Sequence, residues 1–540
     1  MKTLIQNGTI YDGSGAPAKT GDLLLEGDTI LEVGAPGQFP PHSDWQVINA
    51  KGKAVTPGFI DPHRHCDLAV FRDADFGCLE LAQGITTVLG GNCGLTPFPT
   101  TAQTRRQTCD FIEPCLGPAP ASLRLNDYPD YQAQLEGVAL RLNMGAMIGT
   151  GTVKTAAIGG FGKQPFTPEQ MARAQGYLTQ ALENGAFGIS CGVMYTPECY
   201  SSTEEFVRLL TPCAKYNRIL TCHIRGEGDS LVSSVQEVID IAQQAGLRVN
   251  ISHFKAVGCR NWGRTIHQAI ERIENARAHG QEVTVDFYPY TGGSTTLLTL
   301  IPPTFVETET AATLAKLATP AGVDTLRQEL QKAHPGWDNM VRDIGWERIV
   351  ISSVALPEHL PYQGKNIKEI CEKEHYADET AFIADLLVKE KGKVGIIVMS
   401  MDPADVDTVA RLPYSAIISD SLYGITSCPH PRLYGSFAKI IRDYVRERGL
   451  LSMEQAVHKM TGMTAQRFSI RNRGLLRPGY KADINIFDPL QLSDRATFSN
   501  PCQTAVGMDM VLVNGAAALQ NGKPTNCRKG AALRGSLAEK

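Results

Sequence analysis

The run Thr56-Pro-Gly-Phe-Ile-Asp-Pro-His-Arg-His65 constrains this chain more than any other stretch. It reads as a short buried strand, Gly58 to Ile60, followed by two imidazoles at i and i+2. Alternate side chains of a strand point the same way, so His63 and His65 share a direction. In a closed barrel of strands that direction is inward, toward the axis. Two neutral imidazoles at a strand's carboxyl end are a ready pair of metal ligands. Two hydrogen-bonded core histidines are the competing reading, and the later strand ends have to decide between them.

Those later strands can be picked out by pattern. Strand-like runs alternate with helical stretches, the mark of βα units and a parallel sheet. The candidates are Gly58–His63, Ile85–Gly90, Met144–Gly149, Ala186–Ser190, Arg218–His223, Arg248–His253, Val283–Tyr288 and Ala416–Asp420. Eight is the number that closes a (β/α)₈ TIM-like barrel, an α/β fold. Thr167–Asn184 reads as a helix opened by Thr-Pro-Glu-Gln and ended at Gly185. The interval Tyr290 to Tyr414 is far too long for a βα loop. It carries strand-like pieces at Arg348–Ser352 and Val394–Met399 and a helix candidate around Asp378–Lys391. A lid-like insertion late in the barrel, within about 302–395, is expected; otherwise one of those pieces is a barrel strand and the count shifts by one.

The two ends of the chain lack helical patterning. Thr3–Ile10, Asp22–Val33 and Trp45–Val55 are β-like, and so are Ala482–Phe487 and Met508–Val513, with Asn-Gly turn signals at Asn514 and Asn521. Residues 1–56 and 475–540 are therefore expected to pair into one small β-sandwich domain, flanking a metal-dependent barrel over 57–474. Two separate β appendages are the alternative.

Composition narrows the function classes. With 43% hydrophobic and 20% charged residues the chain reads as an ordinary globular protein, and a net charge of −4 argues against a nucleic-acid or anionic-membrane partner. The start has no apolar targeting region, and no run approaches a membrane span. Fourteen scattered cysteines without Cys-x-x-Cys pairs do not form a disulfide framework, so reduced thiols and a cytoplasmic setting are expected.

In such a barrel the chemistry lies at the carboxyl ends of the strands. Those ends deliver His63 and His65, Cys93 in Gly-Gly-Asn-Cys-Gly, His223, His253 and Asp420. Singly, each has a dull structural explanation. Together, four imidazoles, a thiolate and a carboxylate at one rim make little sense without a cation. Mixed N/S ligands point to zinc, with three protein ligands and an open position for water.

Pro-Gly-Phe-Ile-Asp-Pro-His-Arg-His resembles the signature of the amidohydrolase superfamily. Gly91-Asn-Cys-Gly94, Gly188-Ile-Ser-Cys-Gly-Val-Met-Tyr195, His253-Phe-Lys255, Tyr288-Pro-Tyr-Thr-Gly-Gly-Ser294 and His430-Pro-Arg432 narrow the resemblance to the D-aminoacylases, or N-acyl-D-amino-acid deacylases. So does the tail from Gly474-Leu-Leu-Arg-Pro-Gly-Tyr-Lys-Ala-Asp483 to Val513-Asn-Gly. The resemblance spans nearly the whole chain. It implies zinc-dependent hydrolysis of a small-molecule N-acyl-D-amino acid. Cys93, His223 and His253 would hold one tight zinc, and His63, His65 and Asp420 would border a second, weaker position. Lys255, Tyr288, Ser294 and Arg432 would grip the substrate carboxylate, with Tyr195 also among the substrate-binding residues. Asp420 would be the general base that returns its proton to the leaving amine. Either His65 or His223 is available to steady the oxyanion. Oligomeric state is not implied.

Two positions depart from the family. Thr150 stands where a histidine is usual, and Cys191 where threonine is common. Lys154 raises a rival, the carboxylated metal-bridging lysine of hydantoinases and dihydroorotases, which would make the chain a cyclic-amide hydrolase; a dipeptidase or a non-catalytic scaffold are further alternatives. Tyr290 to Ala315 contains no Lys or Arg but does contain Leu297, Leu298, Leu300 and Ile301. A neutral or apolar D-amino acid side chain is therefore expected.

Overall fold

The structure, a computed structural model, describes residues 2–535 apart from Thr308 and Pro335. The last residues of the expected end domain, 536–540, lie outside the described residues, as does Met1.

Eight parallel strands form the barrel: β1 (Phe59–Asp61), β2 (Ile85–Gly90), β3 (Asn143–Ala146, resuming at Ile148–Gly149), β4 (Gly188–Gly192), β5 (Ile219–His223), β6 (Arg248–Ile251), β7 (Val283–Phe287) and β8 (Ser415–Ile417). β1, β2 and the first half of β3 pair in parallel, and the second half of β3 leads the parallel run β4-β5-β6-β7-β8. The break in β3 falls at Met147, whose N–H still reaches Gly90 O at 3.0 Å. Closure comes just beyond the regular strands. Asp420 N donates to His63 O (2.9 Å) and His65 N to Ser421 O (2.9 Å), joining β8 to β1. The eight expected strands are thus the eight observed, but β3 is split, and β1, β6 and β8 stop short of the expected His63, His253 and Asp420.

Buried charge locks that seam. Between the two histidines Arg64 points the other way and is wholly buried, 3.1 Å from Asp61 and 2.8 Å from Glu80. Asp61 in turn accepts the N–H groups of His63 (3.3 Å) and Ser419 (3.1 Å), so one carboxylate ties β1 to the end of β8. Around the barrel, helices follow the strands. Pro168–Glu183 begins at Thr167, whose hydroxyl accepts Gln170 N while Gln170 reaches back in a capping box.

Both chain ends enter one nine-stranded sheet. Ile484–Phe487 pairs antiparallel with Ala54–Pro57, which adjoins Lys2–Ile10. Alternation sorts its faces. Ile5, Leu23, Leu25, Ile484 and Ile486 share one apolar cluster, while Phe487, Val511, Val513 and Leu519 join the barrel core. Past Lys523–Pro524 the chain leaves the sheet and runs back along the barrel, where Met144 N meets Ala531 O at 2.9 Å. The excursion between Phe487 and Met508 carries Phe498 to the barrel mouth, 5.0 Å from the His430 ring and 6.2 Å from that of Tyr290.

The interval between β7 and β8 builds its own small unit. Gly293–Thr296, Gly395–Val398 and Ile349–Ser353 form an antiparallel sheet, so neither Arg348–Ser352 nor Val394–Met399 is a barrel strand. The unit has a separate apolar core that includes Leu300, Phe305, Ile351, Phe382 and Ile396. Its expected helix is Glu379–Lys389, opened by Asp378, whose side chain accepts Ala381 N.

Candidate metal and substrate site

The backbone brings the expected ligands together by unusual means. Cys93, His253 and Asp420 all have left-handed φ, at 54°, 37° and 51°. Such angles cost non-glycine residues energy and persist where the surroundings over-determine them. Around Cys93 those surroundings are explicit. Asn92 donates to Pro62 O (3.3 Å) and Leu89 O (3.1 Å), and Ser190 Oγ receives Gly94 N at 3.0 Å. Gly192 closes the packing: a Cβ there would sit 2.0 Å from Cys93 O. The glycines of both motifs are thus spacing elements for the cysteine.

Ligand atoms of Cys93, His223 and His253 lie within 4.8 Å of one another, and so do those of His63, His65 and Cys93. Cys93 Sγ is 3.3 Å from His63 Nε2 and 3.5 Å from His253 Nε2. Asp420 Oδ1 is 3.4 Å from His63 Nε2 and 3.3 Å from His65 Nε2. All six residues are buried. Neither ring nitrogen of His223 has a hydrogen-bond partner, nor has Nδ1 of His65. Orphaned imidazoles this deep are costly unless something is bound to them. The donor set therefore fits zinc, with Cys93 shared between the two groups.

The electrostatics match that role. Burial, helped by His253 beside one and Lys255 beside the other, holds His223 and His253 well below the usual imidazole range, hence neutral. Burial, with Asp420 and Asp286, pushes the Cys93 thiol well up. Burial opposes ionisation of Asp420, but Arg432, His63, His65 and His253 outweigh it and hold the carboxyl well below its ordinary range. Burial also disfavours charge on His63, yet Asp420, Asp286 and Asp61 together raise it.

A cavity of about 560 Å³ opens onto this cluster, lined by His65, Cys93, His223, His253 and Asp420 together with Tyr195, Lys255, Tyr288, Ser294 and Arg432. Only His63, of the expected site residues, lies behind its wall. Arg432 is 1% exposed and forms an ion pair with Asp420 Oδ2 at 2.8 Å, while its three guanidinium nitrogens make no hydrogen bond. Its Cζ lies 4.7 Å from the Tyr288 ring centroid, and Lys255 Nζ lies 5.9 Å from the same ring. Lys255 is not idle. Its ammonium donates to Glu227 (2.6 Å) and to His253 O (2.9 Å). Ser294 donates to Ile396 O (3.1 Å), and the Tyr195 ring packs 4.8 Å from that of His223. The insertion supplies Gly293, Ser294, Thr295, Met340 and Val398 to the same wall.

Sequence reasoning passed over two acids. Glu227 Oε1 is 2.9 Å from His253 Nδ1, and Asp286 accepts His253 N while lying 3.8 Å from His63 Nδ1. A charged residue inside the apolar run Val-Thr-Val-Asp-Phe was the available signal for Asp286; Glu227, four residues after His223, had none. Lys154 is not a ligand. It sits on helix Thr150–Ile158 and donates to Ser201 (2.6 Å) and Glu205 (2.7 Å), outside both groups of candidate ligands.

Next to the site, and sharing Met194 and Tyr195 with it, is a second chamber of about 620 Å³ walled by Phe111, Phe161, Leu298, Ile301, Val306 and Trp337. Its one acid, Glu307, is paired with Lys316 at 3.2 Å. Among the described residues no helix is long and apolar enough to cross a membrane.

Comparison with known proteins agrees with the geometry. The amidohydrolase family profile matches residues 46–326 and 409–518, passing over most of the insertion. A D-aminoacylase of Alcaligenes xylosoxydans xylosoxydans is 31% identical over 535 residues, 99% of this chain and 98% of that protein. An N-acyl-D-aspartate deacylase of the same organism is 32% identical, covering 95% and 91%. Among solved structures, the N-acyl-D-glutamate deacylase of Bordetella bronchiseptica, complexed with zinc and a phosphonate mimic of the tetrahedral intermediate, superposes with a TM-score of 0.80 at 32% identity over 98% of this chain and 99% of that one. A D-aminoacylase with a binuclear metal centre gives 0.82 at 30%, with the same coverage. A D-hydantoinase, at 0.57 and 14% identity, shares the fold. The chain belongs to the amidohydrolase family, and within it to the D-aminoacylases.

Proposed function

We propose that this protein hydrolyses the amide bond of N-acyl-D-amino acids to a carboxylate and a free D-amino acid, favouring neutral or apolar side chains. The observation that carries the reading is one buried cavity holding both a Cys-His-His ligand set and a buried guanidinium whose one ion pair is to Asp420. The relatives act on N-acyl-D-amino acids by name, which supports the D configuration.

Cys93, His223 and His253 would hold zinc, which polarises a scissile carbonyl and acidifies water. The chain's own groups do the rest. Arg432, backed by Tyr288 and Ser294, takes the substrate carboxylate; a planar guanidinium suits that ion. Lys255 assists while sharing its charge with Glu227, as Arg432 shares its own with Asp420. Asp420, ionised, accepts the proton of the attacking water and returns it to the departing nitrogen. His63 and His65 hold its Oδ1 and leave room for a second, weaker metal. The apolar chamber beyond Met194 and Tyr195 takes the amino acid side chain, and its wall, which among the described residues carries no cation, disfavours aspartate and glutamate. The insertion, walling the cavity, serves as the lid. A cytoplasmic setting suits fourteen free thiols.

Acetate release from paired N-acetyl-D- and N-acetyl-L-amino acids, with zinc added, tests the proposal. Turnover of D-leucine and D-methionine derivatives above D-glutamate is expected; L-selective turnover, or none with any acyl amino acid, refutes it.

A further inference from the structure

Glu198 is 1% exposed, and no step above uses it. Its carboxyl lies where three strand ends meet. One oxygen, Oε2, accepts Gly192 N at the end of β4 (3.0 Å); the other is bonded to the hydroxyl of Thr150, the residue that follows β3. The same carboxyl presses on the loop of Cys93: a Cβ on Gly94 or Gly151 would come within 2.2 or 2.6 Å of Oε2. The nearby cations are engaged elsewhere, Lys154 with Ser201 and Glu205, and Arg225 with Glu237.

What Glu198 holds is the backbone behind two ligands. Gly192 lies directly against Cys93 O, and the next residue, Val193, donates its N–H to His223 O at 2.9 Å. We propose that Glu198, braced by Thr150, is a positioning residue for Cys93 and His223. The proposal rests on the metal centre read above. It also gives a role to Thr150, one of the two positions at which the sequence departs from the pattern it resembles.

Hydrogen counting refines it. Thr150 Oγ1 contacts both Glu198 and Ser190 O (3.1 Å), yet a hydroxyl has one proton to give. Both contacts are satisfied when Thr150 donates to Ser190 O and Glu198 carries a proton toward Thr150. Burial, which pushes this carboxyl up to about 7, favours that state. A glutamine amide reproduces it, with its oxygen for Gly192 and its NH₂ for Thr150.

The test compares the full-length protein with Glu198→Gln and Glu198→Met by zinc dissociation constant, by the thiolate charge-transfer and d–d bands of the cobalt-substituted protein, and by kcat and KM. Expected is a 10- to 100-fold loss of zinc affinity in Glu198→Met, the scale of lost outer contacts to metal ligands, with altered cobalt bands and KM nearly unchanged. Glu198→Gln should stay close to the parent. Should Glu198→Met fail to fold, Thr150→Val removes the brace alone, and Thr150→Ser should restore it. Parental affinity and cobalt bands in Glu198→Met or Thr150→Val overturn the inference, as does equal damage from Gln and Met. A parent protein that binds no zinc would instead overturn the metal centre itself.

Discussion

Replacing Arg432 by methionine separates substrate recognition from catalysis at this site. The side chain is 1% exposed, its one ion pair is to Asp420 at 2.8 Å, and its nitrogens make no hydrogen bond, so a bound carboxylate would gain two charge-assisted bonds while sharing the cation with Asp420. At about 1.5–3 kcal/mol each, their loss amounts to about 3–6 kcal/mol, roughly 10²- to 10⁴-fold in kcat/KM. The assay compares N-acetyl-D-leucine with its primary amide, which lacks the carboxylate. The parent should prefer the acid by about that factor, and the variant should lose most of the preference. A second effect follows from Asp420, whose carboxyl Arg432 helps to hold low. Removing the cation raises that pKa. The ionised base is then lost at a higher pH, and the acid limb of kcat/KM moves upward. A variant that keeps the parental ratio between acid and amide refutes the assignment.

Four further outcomes are expected. Asp420→Asn should keep stoichiometric zinc, measured by metal analysis, yet lose about 10²- to 10⁴-fold in kcat. With Cys93 protonated and both tight-site imidazoles already neutral, zinc binding releases one proton from its ligands. Chelator competition should then show affinity rising about tenfold per pH unit, a slope that Cys93→Asp flattens. Leu298→Lys places a cation in the apolar chamber and should shift relative kcat/KM toward N-acetyl-D-glutamate. Arg64→Leu leaves Asp61 and Glu80 buried without their partner, and denaturant unfolding of the barrel should register a cost of about 3–5 kcal/mol.

The barrel and its rim were readable because their physics is local. A βα alternation, an inward His-x-His and isolated polar residues ending apolar strands each declare themselves within a few positions. The left-handed backbone at Cys93, His253 and Asp420 did not, since only tertiary packing holds a non-glycine residue there. Long-range pairing was equally silent. Nothing near Lys255 in the sequence announces Glu227, twenty-eight residues away, that partly neutralises it. The split in β3 went unseen because Met144–Gly149 is apolar throughout, with nothing to mark Met147 as the break.

Phe498 gives the terminal sheet a stake in the chemistry. Its ring rests on His430, two residues from the guanidinium proposed to take the substrate carboxylate. A barrel trimmed of its flanking β strands would keep the proposed metal ligands and still lose the ring packed on His430 and Tyr290. Minimal catalytic versions of this enzyme should therefore be cut around the excursion between Phe487 and Met508 and not through it, and grafts of foreign termini should be judged first by how tightly they grip the acid substrate.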